Sequence, residues 1–298
     1  MNKHWNKYTN KHRNEHRNKK EPVEISLRND RGIVKWLLIG LCAVFLVALL
    51  VLPLVYVVVT AIRDGWNAYV KAVSDTYAVK SILLTLEVVG ITVVVNTIFG
   101  IFAAWIITKF TFKGKKVIST LIDLPLAISP IIAGLIFVLT FGRQSFLYPY
   151  LEKAGVQIIF AVPGIVLATI FVTFPFISRE IIPVLTAAGS DEEEAAAMMG
   201  ANGFQIFTQI TFPHIKWALL YGIVLCSARA MGEFGAVSVL SGHLRGLTNT
   251  MPLYIELLYQ AFDFTGAFAM SSILVVMAVI ILVLRNILEY RGKKEGEV

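Results

Sequence analysis

Residues 190–213 read SDEEEAAAMMGANGFQIFTQITFP, and the fold turns on them. Ser190, with Glu193 three residues on, has the spacing of a capping box, in which side chain and backbone satisfy each other's orphan groups. Asp191, Glu192, Glu193 and Glu194 fall in the first turn that follows, where the helix dipole favours negative charge. Ala195, Ala196, Ala197, Met198 and Met199 are good helix formers. Gly200 is a natural C-terminal stop. Asn202 can cap a second short helix, which Pro213 is expected to end. The stretch therefore predicts a helix–turn–helix. By local pattern alone, it fits equally well a surface helix pair that only connects its neighbours.

Those neighbours are long and apolar. Of the 298 residues 56% are hydrophobic, and mean hydropathy is +0.70. A soluble chain of this length buries a large core without such an excess. Six runs approach the roughly 20 residues that a membrane helix needs: 36–62, 83–108, 117–141, 158–177, 215–237 and 268–284. The second contains Glu87 and Asn96, and the fifth contains Arg229 and Glu233. Pro125, Pro130, Pro163 and Pro175 predict kinks in the third and fourth, since neighbouring spans can satisfy the freed backbone. The expectation is an all-α integral membrane domain over 36–290, with its connecting loop at 180–214. A disordered basic arm (1–35) precedes it, and a short tail (291–298) follows.

Charge orients the spans. With the N-terminus in the cytoplasm, the inner segments 1–35, 109–116, 178–216 and 285–298 carry twenty Lys/Arg, and the outer ones carry six. Cytoplasmic loops are the ones enriched in Lys and Arg, so both termini and the 180–214 loop are expected inside. The net charge of +7 lies mostly in the arm, where ten Lys/Arg face four Asp/Glu. No recognition fold or aromatic interleaving follows the arm, so nucleic acid is not the expected partner. Contact with anionic lipid is. Cys42 and Cys226 lie apart in apolar runs, with neither a CxxC nor a Cys/His cluster, which predicts no disulfide and no metal site. The first apolar run is too long for a secretory signal and lacks a clear cleavage site. His214 and His243 sit in separate segments, and no nucleophile–base pair stands out, which argues against a membrane enzyme.

Two further stretches carry polar chemistry. In 227–236 (SARAMGEFGA), Arg229 sits in a span at a cost of roughly 2.5–3.5 kcal/mol on insertion scales. Glu233 is four residues on, on the same helix face. The pair fixes packing, or Arg229 attracts an anion while Glu233 orients it, and the two roles are compatible. In 241–259 (SGHLRGLTNTMPLYIELLY), glycine-flanked amides can form an anion-binding nest. Arg245 adds charge, and Ser241, Thr248 and Thr250 add hydroxyls. The same stretch fits an ordinary outer loop leading into an interfacial helix at 252–262.

The spacing of Glu194-Ala195-Ala196, Gly200, Ile210 and Pro213 resembles the EAA signature of permease subunits of ABC importers, with Phe212 where Leu is usual. The resemblance implies a type I importer permease fold of six transmembrane helices, with 190–213 docking on an ATPase. The chain has no GxxxxGK[ST] phosphate loop, so ATP and Mg would be bound by that partner, in two copies, and this chain would hold no cofactor. From about residue 35 to 290, the order Arg229, Gly232, Glu233, then Ser241, Gly242, His243, Arg245, Gly246, Thr248 and Thr250 resembles the W-type subunits of sulfate/thiosulfate importers. Molybdate and tungstate permeases share the first part. The resemblance implies a T-type sulfate permease as partner, an extracytoplasmic sulfate/thiosulfate-binding protein, residence in the bacterial plasma membrane, and a path lined by these residues. A passive channel would leave the EAA loop unexplained.

Overall fold

The computed structural model describes residues 32–295, and the basic arm expected at 1–35 lies almost wholly outside them. Every regular element among the described residues is helical. The chain divides into residues 1–53 and 54–298. The first unit contributes α1 (Gly32–Leu46) and a π turn (Val47–Val51). Helix α2 (Leu52–Ile62) completes the apolar run Lys35–Ile62, whose most apolar window buries nothing within the chain. Most of its side chains are exposed, while toward its end Tyr56 meets Phe268 edge-on at 6.0 Å and Ala61 is buried.

In the second unit follow α3 (Trp66–Val73), α4 (Thr76–Lys109), α5 (Lys115–Ala127), α6 (Pro130–Phe141) and α7 (Tyr148–Lys153). Next come α8 (Val162–Thr173), α9 (Pro175–Ala188), α10 (Asp191–Met198) and α11 (Gly203–Ile206). The last are α12 (Phe212–Met231), α13 (Gly235–Ser241), α14 (Met251–Gln260) and α15 (Phe264–Glu295). Among the described residues, five helices are long and apolar enough to cross a membrane, or six if α5 and α6 count as one span.

Several expectations shift. The third span is broken: α5 and α6 meet at 109°, with Pro130 starting α6 after Ile128 and Ser129 leave helical geometry. The fourth runs over Val162–Ala188, so its helix continues eleven residues past the expected end at 177. Pro175 and Pro183 are tolerated, and Arg179 belongs to the helix rather than to a loop. Pro213 does not end the second short helix. Helix continues from Gly203 to Met231 through a π turn at Phe207–Thr211, and the Phe212 N–H reaches the Phe207 carbonyl. The wider turn makes room for a proline ring in the first turn of α12. The sixth span starts at Phe264 and stays helical through Glu295, which takes up most of the expected tail.

The core is assembled on α4 and α12. Ala104, Ile177, Ile181, Leu185, Ile215, Leu219 and Cys226 pack where α4, α9 and α12 meet. Ala78, Met251, Tyr254, Leu258, Ala267 and Met270 join the start of α4 to α14 and α15. Asn96, fully buried on α4, donates to Thr173 Oγ1 at 2.8 Å, across to the end of α8. A buried amide needs partners, and this tie holds spans together at mid-helix.

Candidate coupling elbow and translocation path

The 190–213 stretch is an elbow of two helices, and the turn between them is set as the residues predict. Helix α10 stops in a Schellman turn: Ala201 N–H reaches the Ala196 carbonyl and Gly200 N–H the Ala197 carbonyl, both at 3.0 Å. Gly200 has φ +91°, which side chains with a Cβ rarely adopt. Asn202 caps α11, and with Gln205 it forms a reciprocal capping box at 2.9 Å in both directions.

The capping box expected at Ser190 and Glu193 does not form. Ser190 Oγ donates to Glu194 Oε1 at 2.8 Å. Glu193 turns away toward a stronger partner. Its Oε2 lies 3.0 Å from Lys109 Nζ, and its Oε1 accepts from Thr211 Oγ1 at 2.7 Å. Both charged side chains are largely withdrawn from solvent (10% and 17% exposed), so the ammonium wins over the neutral Ser190 N–H. Lys109 also donates to the Gly189 carbonyl. A second strap joins Glu192 Oε2 to His214 Nε2 at 2.9 Å. The elbow is thus fastened to the last residue of α4 and the first turn of α12. Of the signature residues, Ala196 is buried and Ile210 lines the crevice around Lys109 and Glu193, while Pro213 is half-buried. Glu194, Ala195 and Gly200 face outward. The elbow presents Met198 (85% exposed), Met199 (84%) and Phe204 (76%) to its surroundings. Large apolar side chains that exposed, on a braced polar frame, mark a docking face.

The residues expected along a path fall into three arrangements. In the first, Glu233 is 2% exposed and holds the break between α12 and α13. Its Oε1 accepts from the Ala236 N–H at 2.9 Å, and its Oε2 lies 2.7 Å from Arg229 Nη1, with the N–H off the line between them. Gly232 closes α12 at this break. Arg229 keeps a third of its side chain exposed, so the pair fixes the break and still offers an open cationic edge.

In the second, Ser241, Gly242, His243 and Thr248 tie a knot. The His243 N–H donates to Ser241 Oγ and the Leu244 N–H to Thr248 Oγ1, both at 3.1 Å. Thr248 Oγ1 itself donates to the Ser241 carbonyl at 2.6 Å. Two of the amides an anion nest could use, those of His243 and Leu244, are therefore engaged by the loop's own hydroxyls. Gly242 has φ +64°, and a Cβ there would stand 2.6 Å from Phe160 Cδ1, so the spacing serves a tight turn under an aromatic ring.

In the third, Arg245 stacks over Tyr77 at 4.6 Å and near Tyr254 at 5.9 Å. Asp75 Oδ2 accepts from the Tyr77 N–H at 2.9 Å and from the Tyr254 hydroxyl at 3.1 Å. Burial would raise the Asp75 carboxyl, but the Tyr77, Tyr254 and Ala78 hydrogen bonds and the Arg245 charge together hold it below its usual range. A Cβ at Gly246 would meet Tyr77 Cδ1 at 2.9 Å. Thr250 begins α14, and its hydroxyl is buried with no protein partner, as is the Asn249 amide beside it.

Sequence reading missed the partners that make these arrangements work. Lys109 figured only as an inner charge and Tyr254 only within the 241–259 stretch, while Asp75 and Tyr77 did not figure at all. Lys109 and Tyr254 lie far in sequence from the carboxylates they meet, which no spacing rule finds, whereas Asp75 caps α4 through the Tyr77 N–H two residues on, a local signal that was passed over.

The chain is similar to known transport proteins. Residues 96–294 match the family model described as binding-protein-dependent transport system inner membrane component. The sulfate transport system permease protein CysW of Escherichia coli strain K12 is 45% identical over 86% of this chain and 88% of its own length. Its namesake in Synechocystis sp. is 43% identical over 87% and 94%. The sulfate transport system permease protein CysT of E. coli strain K12 is 31% identical over 85% and 91%. A chain in the crystal structure of a bacterial alginate ABC transporter, in complex with an alginate pentasaccharide-bound periplasmic protein, superimposes with a TM-score of 0.72. It shares 18% identity over 89% of this chain and 96% of that one, so the likeness is one of fold. With its multi-span helical fold and braced elbow, the chain belongs to the binding-protein-dependent transport system inner membrane components, and among them to the CysW type of sulfate transport permease.

Proposed function

We propose that this chain is a permease subunit of an ATP-driven sulfate/thiosulfate importer in the bacterial plasma membrane, with both termini in the cytoplasm. The reading rests chiefly on the elbow, an apolar knob of Met198, Met199 and Phe204 held rigidly to two long apolar helices. The excess of Lys and Arg in the segments on the knob's side supports its being the cytoplasmic, ATPase side. Relatives 45% and 43% identical carry the name sulfate transport system permease, and CysT relatives support a second, T-type permease beside this one. ATP and Mg are bound by two partner ATPase subunits, and an extracytoplasmic binding protein delivers the oxyanion. Closing the ATPases pulls the elbow inward, and the straps at Lys109 and His214 carry that motion into α4 and α12. The path opens by shifting the balance between two states, with no chemistry on the cargo. In this reading Arg229 meets the anion and Glu233 orients it, while Ser241–Gly246, Thr248 and Thr250 shape the far end.

The test is labelled sulfate uptake into proteoliposomes holding this chain, the T-type permease, the ATPase and the binding protein. Uptake should need ATP and every component, and excess molybdate should not abolish it. Uptake without the ATPase, or abolished by molybdate, contradicts the reading.

A further inference from the structure

One ion pair lies where neither the elbow nor the three arrangements above account for it. Arg179 Nε on α9 stands 3.0 Å from Asp123 Oδ1 on α5. Helix α9 buries Ile177, Ser178, Ile181 and Leu185, and turns Arg179, Pro183 and Thr186 the other way. The pair is open within this chain, with 57% of the Arg179 side chain and 43% of Asp123 exposed. Around it the surface of α5 is apolar: Leu121, Leu124 and Leu126 are exposed as well.

Depth makes this placement informative. Asp123 is eight residues beyond Lys115, where α5 begins, and Arg179 is nine residues before Ala188, where α9 ends. At a rise of 1.5 Å per residue, each lies about 12–14 Å along its helix from the elbow end. A hydrocarbon core is about 30 Å thick, so a core that starts near those helix ends contains both charges. Ionised side chains at that depth face a bundle interior or a water-filled cavity rather than lipid. This chain leaves the pair uncovered, on a face open to water or to a neighbouring subunit.

We propose that Arg179 is an anion contact in the elbow-side half of the translocation path, with Asp123 as its resident counter-ion. The inference rests on the importer reading for the existence of a path, but not for the identity of the cargo. A guanidinium presents a planar fork of donors that suits a carboxylate and a tetrahedral oxyanion alike. An arriving oxyanion takes the place of Asp123 on Arg179, and the displaced carboxylate then repels it onward. A path must bind its cargo well enough to admit it and weakly enough to release it, and a counter-ion beside the cation meets both demands.

The experiment uses the complete transporter in proteoliposomes. In a Cys42→Ser background, Arg179→Cys should react with a water-soluble, membrane-impermeant thiol reagent, and millimolar oxyanion (sulfate, thiosulfate or molybdate, each tried) should slow that reaction. Arg179→Gln should lower the maximal uptake rate about ten-fold, the size expected for one lost charge-assisted hydrogen bond, with half-saturation unchanged because the binding protein sets it. Arg179→Lys should recover part of that rate because the charge is kept, while protection of the 179 cysteine by oxyanion is the readout that a purely structural ion pair would not give. Asp123→Asn, which keeps the shape, should also slow uptake, through retention of the anion. A cysteine at 179 that reacts only with a lipid-soluble maleimide, reacts with neither reagent, or reacts regardless of any oxyanion overturns the proposal, as does wild-type uptake by Arg179→Gln. Protection by molybdate alone would leave the proposal standing and overturn the sulfate reading.

Discussion

At the scale of single residues, Glu193 is contested by two partners. Its spacing from Ser190 offers a cap, and its position offers Lys109, and the charge wins. Lys109→Ala leaves a half-buried carboxylate with only Thr211, and should destabilise the elbow by about 1–3 kcal/mol. Faster hydrogen exchange over 189–200 in the assembled transporter would report it, and Lys109→Arg should largely restore protection. The clamp at Arg245 has a pH signature of its own. The Asp75 carboxyl titrates below its usual value of 3.8, so the clamp contributes stability above that value and loses it as pH falls through the lowered one. Asp75 is exposed, so solvent screens the effect and the change should be small. Hydrogen exchange over 241–250 should rise only in acid, and Asp75→Asn should remove the dependence.

At the scale of elements, the elbow was legible because its signals are local. Gly200, Asn202 and Gln205 each act within a few residues of themselves, and the Schellman turn and the second capping box follow from them. The ends of the spans were less legible. Polar residues such as Thr76 and Asp75 start α4 seven residues before its apolar run begins, because capping and burial against α14 extend the helix. The π turn at Phe207–Thr211 has no signal in a 3.6-residue pattern, and it decides whether Pro213 breaks the helix. The polar glycine-rich stretch after α13 was open to two readings, and the hydroxyls of Ser241 and Thr248 take up the His243 and Leu244 amides. Gly200→Val forces a β-branched residue to φ +91°, which costs about 1–2 kcal/mol and unwinds the end of α10. The assembled transporter should keep its ATPase activity while losing most ATP-driven uptake. Full uptake would show that the turn is not needed for coupling.

At the scale of the whole molecule, the spans were legible from hydropathy alone, since a membrane crossing needs a long apolar run and little else. What holds them together was not, because Asn96–Thr173, Lys109–Glu193 and Asp123–Arg179 each join residues more than fifty positions apart. Much apolar surface remains exposed on α1, α5 and α6, as a subunit within lipid and beside other chains requires. The central claim is that the knob on the elbow meets an ATPase. The most direct measurement is cross-linking from single cysteines, introduced one at a time into a Cys42→Ser background, in membranes containing the assembled transporter. Met198→Cys and Met199→Cys should cross-link to the ATPase subunit, with a yield that changes when ATP is added, while Phe146→Cys at the opposite end should not. Cross-links to the ATPase from position 146, with none from 198 or 199, would contradict it.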